Sequence, residues 1–146
     1  MQNHGHTAPD PCPECGAPTV DGMDCQAQLG LILAWEWDDP ALLAVHFLTV
    51  AAYNLQHPAQ FTDDALAALR MAFADYLDGK TTIAGIRARM GRLLEGSNRV
   101  LRPESARRPV LRRWRMTIAD VVGSGQAEGA AQRVQAWAAS IRGDLA

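Results

Sequence analysis

Residues 24–58 read DCQAQLGLILAWEWDDPALLAVHFLTVAAYNLQHP, and this stretch decides the fold. Asp24 is a residue that caps helices. After it, Leu29, Ile32, Leu33 and Trp35 to Trp37 fall at helical spacing until Asp38-Asp39-Pro40 breaks the pattern. Pro40 suits the first turn of a second helix with Asp39 as its cap, and Leu42, Leu43, Val45, His46, Phe47, Val50, Tyr53 and Leu55 carry that helix to His57-Pro58. The two predict an antiparallel helical hairpin with a very short turn.

Just upstream lies Cys12-Pro-Glu-Cys15-Gly16-Ala17-Pro18, and Cys25 is the third and last cysteine of the chain. Two cysteines separated by two residues can aim both sulfurs at one ion from a tight turn, and a glycine after the second lets the backbone bend where a Cβ would clash. A redox pair of the thioredoxin type needs a helix start after a buried strand. No strand-like run precedes Cys12, and Pro11, Pro13 and Pro18 oppose a helix there. The spacing therefore predicts a zinc knuckle, with redox chemistry and unligated thiols as the alternatives.

The hairpin supplies a candidate for the fourth ligand. Cys25 sits about fourteen residues before the turn, and the same count beyond it reaches Tyr53 to His57. His46 is only about seven residues past the turn, roughly 16 Å from His57 along the helix, too far for both to share one ion. The expected ligands are Cys12, Cys15, Cys25 and His57, with His4, His6 and His46 as other sources of the fourth. His46, Val50, Tyr53 and His57 form one stripe on the second helix. His46 is then either a hydrogen-bonded core residue or one end of a polar groove passing Tyr53 and Gln56 to the metal. Gln56 itself reads equally as a support for the metal ligands or as an exposed group.

These residues resemble a known pattern. The Cys-Pro-x-Cys-Gly start, a further cysteine opening a helix, and the run from Val45 to Pro58 with His46 before Phe-Leu-Thr-Val are similar to the uncharacterised bacterial family known as domain of unknown function 5946. Thr117 to Val121 and Ala136-Trp137-Ala138 resemble its closing segments, so the likeness covers nearly the whole chain. It implies shared cysteines, the histidine before Leu-Thr-Val and the Gln-His-Pro, which suit a metal site, and it implies no reaction. Ala51-Ala52 stands where the resemblance leads one to expect an acid before the tyrosine, which weakens a carboxylate-assisted site here.

Further on, Phe61-Thr62-Asp63-Asp64 starts an amphipathic third helix through Ala65, Leu66, Leu69, Met71, Phe73, Tyr76 and Leu77 to Asp78-Gly79. Thr81-Thr82 cap a fourth, with Ile83, Ile86, Met90, Leu93 and Leu94 on one face and Arg87, Arg89 and Arg92 on another, ending at Gly96. The connection from Ser97 to Arg115 is irregular, broken by Pro103 and Pro109, and rich in arginine; Trp114 and Met116 are its candidate anchors to the core. A short helix from Thr117 to Val122, a Gly123-Ser-Gly125 break and a last helix with Ala130, Val134, Trp137 and Ile141 on its buried face complete the chain.

With 146 residues and 48% hydrophobic composition, the chain has the size of one ordinary domain. Its formal charge of −2 hides an asymmetry: Arg70 alone faces eleven acids in residues 1–79, whereas thirteen bases face five acids in residues 80–146. Either the two halves pack against each other, or the basic half meets nucleic acid through Arg99 to Arg115, with Trp114 stacking on a base. The apolar run from Leu29 to Trp35 is too short to span a bilayer, and the N-terminus lacks a signal-peptide pattern. With an odd cysteine count, this points to a reducing, cytoplasmic setting and no membrane partner.

The sequence thus predicts an all-α bundle of five to six helices with an N-terminal zinc knuckle packed on the first hairpin. Residues 1–11 would be a flexible tail and 12–146 a single zinc-binding domain. The expected role is structural zinc (Zn2+) in an interaction or regulatory module with an unknown protein partner. The alternatives are a metalloenzyme, with zinc held by the three cysteines and His46, Tyr53 or His57 handling protons, and a nucleic-acid-binding protein.

Overall fold

Residues 10–94, 99–123 and 125–146 are described in the computed structural model of the chain, the side chains of Leu93 and Leu94 excepted. The expectations placed on His4, His6, Gly96 and Ser124, and on Leu93 and Leu94 as buried positions, lie outside the described residues. Among those residues there are seven α-helices and no strand, the all-α fold expected.

Helix α1 (Cys25–Trp35) starts where the Asp24 carboxylate accepts the Ala27 N–H at 2.8 Å. It runs into a 3-10 turn (Glu36–Asp38). Asp39 then accepts the Leu42 N–H at 3.1 Å and opens α2 (Pro40–Ala44), with proline in its first turn. The expected single second helix is divided at Val45, whose φ of −105° and ψ of 18° leave the α region while its N–H turns back to Leu42. A separate α3 (His46–Leu55) follows. This division carries the helix count to seven, and the connection between α1 and α3 is longer than the very short turn expected.

Helix α3 also stops earlier than the sequence suggests. Gln56 caps it, and His57, with φ −126° and ψ 60°, stands off the helix because the proline after it disfavours the α conformation. His57 therefore does not continue the stripe of His46, Val50 and Tyr53.

The remaining helices are α4 (Asp63–Leu77), capped by Thr62; α5 (Ile83–Leu94), where the Thr82 hydroxyl accepts the Gly85 N–H; α6 (Ile118–Val122), with a Thr117–Asp120 capping box; and α7 (Ala130–Leu145). Although only five residues long, α6 buries Ile118, Ala119, Val121 and Val122 and packs against both α1 and α7. Helix α7 also packs on α3, which α4 flanks. Trp137, Phe73, Ile32, Leu42 and Leu55 are among the largest fully buried side chains. Three apolar residues counted toward helix faces point outward instead: Trp37 is 88% exposed, Met71 64% and Leu43 57%.

The arginine-rich connection is folded back on the first half. Thr62 N–H donates to Val100 C=O at 2.9 Å, Arg102 N–H to Gln60 C=O at 2.8 Å, and Arg112 N–H to Glu14 C=O at 3.1 Å. Arg102 pairs with Asp63, Arg89 with Asp75 and Arg142 with Asp78, each joining the basic half to the acidic half. Trp114 and Met116 pack against the core as anchors.

Candidate metal centre

The cysteine loop is shaped by its own backbone. Gly16 N–H donates to Cys12 C=O at 2.9 Å and Cys12 N–H to Ala17 C=O at 3.0 Å, a closed turn that needs the φ of +77° found at Gly16. The Cys15 N–H points at Cys12 Sγ and the Ala17 N–H at Cys15 Sγ, both at 3.4 Å, so amide dipoles face the two sulfurs. Cys25, the first residue of α1, enters from the side, and His57 enters from the end of α3.

The ligand atoms of Cys12, Cys15, Cys25 and His57 all lie within 4.8 Å of one another; three of the four residues are buried and Cys12 is partly so. His57 Nε2 is 3.3 Å from Cys25 Sγ and 3.6 Å from Cys12 Sγ. A tetrahedral ion with bonds of about 2.0–2.3 Å requires ligand atoms roughly 3.5 Å apart, so the cluster could hold a metal ion. The cysteines form no disulfide.

The imidazole is oriented from behind. Its Nδ1–H donates to Tyr53 C=O at 2.6 Å, which fixes the proton on that nitrogen and turns the Nε2 lone pair toward the sulfurs. The Tyr53 ring stacks on His57, with centroids 4.1 Å apart, and its hydroxyl lies 3.9 Å from Cys25 Sγ.

The group titrates as a unit. A hydrogen bond from the Cys15 thiol, working against burial and helped by His57, draws the Cys25 pKa down to about 4. The same bond to Cys25, together with burial, pushes the Cys15 thiol far up. Burial favours neutral His57, but its contacts with Cys25, Tyr53 C=O and Cys12 outweigh this and lift it to about 9. Burial first, then the neighbouring sulfur charges, raises Tyr53. The Cys25 thiolate is thus held by the Cys15 thiol and the His57 imidazole, a position that a cation could take over.

His46 is not part of this cluster. It lies at the other end of α3, half exposed, with Nδ1 2.9 Å from both oxygens of Glu36, which is buried. Gln56, for which the sequence allows either a supporting or an exposed position, is buried: it accepts from Trp137 Nε1 at 3.2 Å and donates to Met116 C=O at 2.8 Å.

Three contributors went unnoticed in the sequence. Glu14, between the two loop cysteines, accepts the Ala59 N–H at 2.7 Å and ties the loop to the segment after His57. Gln28 is fully buried and donates to the carbonyls of Pro18 and Met23, both at 3.0 Å, holding the loop's far end. Its spacing in the series 25, 28, 32, the buried face of α1, was the available signal. Glu36, the partner of His46, is the third.

No described helix is long and apolar enough to cross a membrane. The model of a family described as a family of unknown function, DUF5946, matches residues 10–146. No curated protein and no solved structure gives a match.

Proposed function

We propose that this chain, which belongs to the DUF5946 family of unknown function, holds one zinc ion through Cys12, Cys15, Cys25 and His57, and that the zinc is structural. The observation that carries the proposal is the closed donor set: four soft or borderline ligand atoms within 4.8 Å, with the imidazole turned inward by the Tyr53 carbonyl. Three thiolates and one imidazole suit the tetrahedral preference of zinc.

Four protein donors fill that coordination and leave no position for a substrate. A three-thiolate environment is also electron-rich and disfavours activation of water. The ion's work is then to join residues 10–24, whose only fully buried apolar side chains are Cys15 and Ala17, to α1 and the end of α3. In such a protein the free energy of metal binding is folding free energy. A metal-clamped helical domain of this kind serves as an interaction or regulatory module.

The test is elemental analysis of untagged protein with thermal melts before and after chelation. The expected result is one zinc per chain and a lower melting temperature without it. Fully folded, freshly reduced protein with no metal would sink the proposal, as would a His57→Ala variant that keeps both metal and stability.

A further inference from the structure

The three cysteines of the cluster are not equally open to solvent. Cys15 is 1% exposed and Cys25 8%, and His57 is buried too, whereas Cys12 is only partly buried. A cleft of about 490 Å³ lies between the cysteine loop and residues 111–114. Cys12 and Cys15 line it; Cys25 and His57 do not. The charged residues lining it, Arg112 and Arg113, are both cationic, and no acidic residue lines it among the described residues. A partly exposed sulfur in electropositive surroundings is the setting in which a cysteine reacts as its thiolate.

A second sulfur stands within the same turn. Cys15 follows Cys12 by three residues, its N–H points at Cys12 Sγ at 3.4 Å, and the ligand atoms of the cluster lie within 4.8 Å of one another. A disulfide of about 2.05 Å between the two needs a movement inside one short loop. One to Cys25 would instead tie the loop to the first residue of α1, away from the cleft.

We propose that Cys12 is an oxidation site: hydrogen peroxide links Cys12 to Cys15 and so removes two of the four ligands of the proposed zinc centre. The Cys12 thiolate attacks one peroxide oxygen; an S–O bond forms, the O–O bond breaks, and hydroxide leaves and takes up a proton from solvent. The Cys15 thiolate then attacks Cys12 Sγ; the S–S bond forms, the S–O bond breaks, and a second hydroxide leaves and is protonated. Two thiolates lose two electrons, and one peroxide with two protons becomes two water molecules. Cys25 and His57 alone are too few donors for tetrahedral zinc, so the ion is released. Glu14, between the oxidised pair, accepts the Ala59 N–H on its carboxylate and the Arg112 N–H on its C=O, so the change reaches the segment after His57 and the arginine-rich connection. Release of the ion rests on the zinc reading; formation of the disulfide does not.

The test treats full-length protein of measured zinc content with hydrogen peroxide at neutral pH. Freed zinc is read with a chromogenic chelator, remaining thiols are blocked, and peptides are mapped by mass spectrometry. Cleavage after Glu14 and before Asp24 puts the three cysteines in separate peptides. A Cys12 to Cys15 disulfide should form, with one zinc freed for each, while Cys25 stays a thiol. A thiol reductant with added zinc should restore the loaded protein. In untreated protein, iodoacetamide should label Cys12 about tenfold faster than Cys25.

Zinc-loaded protein that keeps all three thiols under excess peroxide would overturn the oxidation site and leave the zinc clamp standing. A first disulfide that includes Cys25 would overturn it too. Protein purified without zinc that still forms the Cys12 to Cys15 bond would support the oxidation site while refuting the clamp.

Discussion

Replacing Gln56 by alanine should destabilise the protein more than any surface change, because the amide is buried where three elements meet. Its oxygen accepts the indole N–H of Trp137 on α7, and its nitrogen donates to Met116 C=O just before α6. Truncation strands both partners. Trp137 is fully buried, so its N–H loses its acceptor without gaining water, a cost of about 1–3 kcal/mol. The Met116 carbonyl loses its donor in a partly buried setting, about 1 kcal/mol. The vacated volume of four heavy atoms adds roughly 1–2 kcal/mol. Together these give about 3–6 kcal/mol, a large share of the stability of an ordinary domain. Urea unfolding of metal-saturated protein, followed by tryptophan fluorescence and far-ultraviolet dichroism, measures it. A loss under about 1 kcal/mol with an unchanged m-value would refute the claim that this amide joins α3, α6 and α7.

Gly16→Ala should cost about 1–2 kcal/mol and weaken metal retention, since it demands a φ of +77° from an L-residue and sets a Cβ 3.4 Å from Leu111 Cδ1; equal melting temperatures would contradict this. His46→Ala should leave zinc content unchanged yet lower stability by about 1–3 kcal/mol, because buried Glu36 loses its partner, whereas loss of zinc would bring His46 into the metal site. Metal uptake should release protons at neutral pH: His57, at about 9, and Cys15, pushed far up, are protonated in the free cluster, while Cys25, at about 4, is already ionised. Apparent affinity then rises with pH through the neutral range, and calorimetric enthalpies vary with the buffer's ionisation enthalpy; buffer-independent enthalpies would disprove the proton-held cluster.

Much of the helical pattern was legible because local chemistry dictates it. Asp24, Asp39 and Thr62 cap the helices that follow them, and Pro40 and Pro58 fix a start and a stop through their own rings. The grouping of Cys12, Cys15, Cys25 and His57 was legible too, from the Cys-x-x-Cys spacing and from the chain reversal between Cys25 and His57, although the uninterrupted second helix on which the residue count relied is broken at Val45. What was hidden depends on tertiary contacts. The bend at Val45 follows no proline or glycine, and His57 reaches the sulfurs from outside the helix rather than along its stripe. The central place of α6 was equally hidden, because five apolar-rich residues carry no periodicity that shows two neighbours.

If the cluster holds a metal ion as proposed, the polar ties around the loop give a reason for it to sit at this end of the bundle and not at the other. At the far end, Glu36 and His46 meet across the α2 connection while Leu42 and Leu48 bury themselves beneath, so an apolar core already holds the elements together. At the near end the backbone turns through positive φ at Gly16, Asp21 and Gly22, conformations that bring no apolar side chain inward. There the loop is held by Glu14 to Ala59, Gln28 to Pro18 and Met23, and Arg112 to Glu14. Each such bond replaces one made to water and contributes about 1 kcal/mol net, so the set fixes geometry more than it supplies stability. Three sulfurs and an imidazole gathered without a cation add charge and proton constraints to that loop, and a divalent ion bound as proposed would turn the same four groups into an attachment of the loop to α1 and the end of α3.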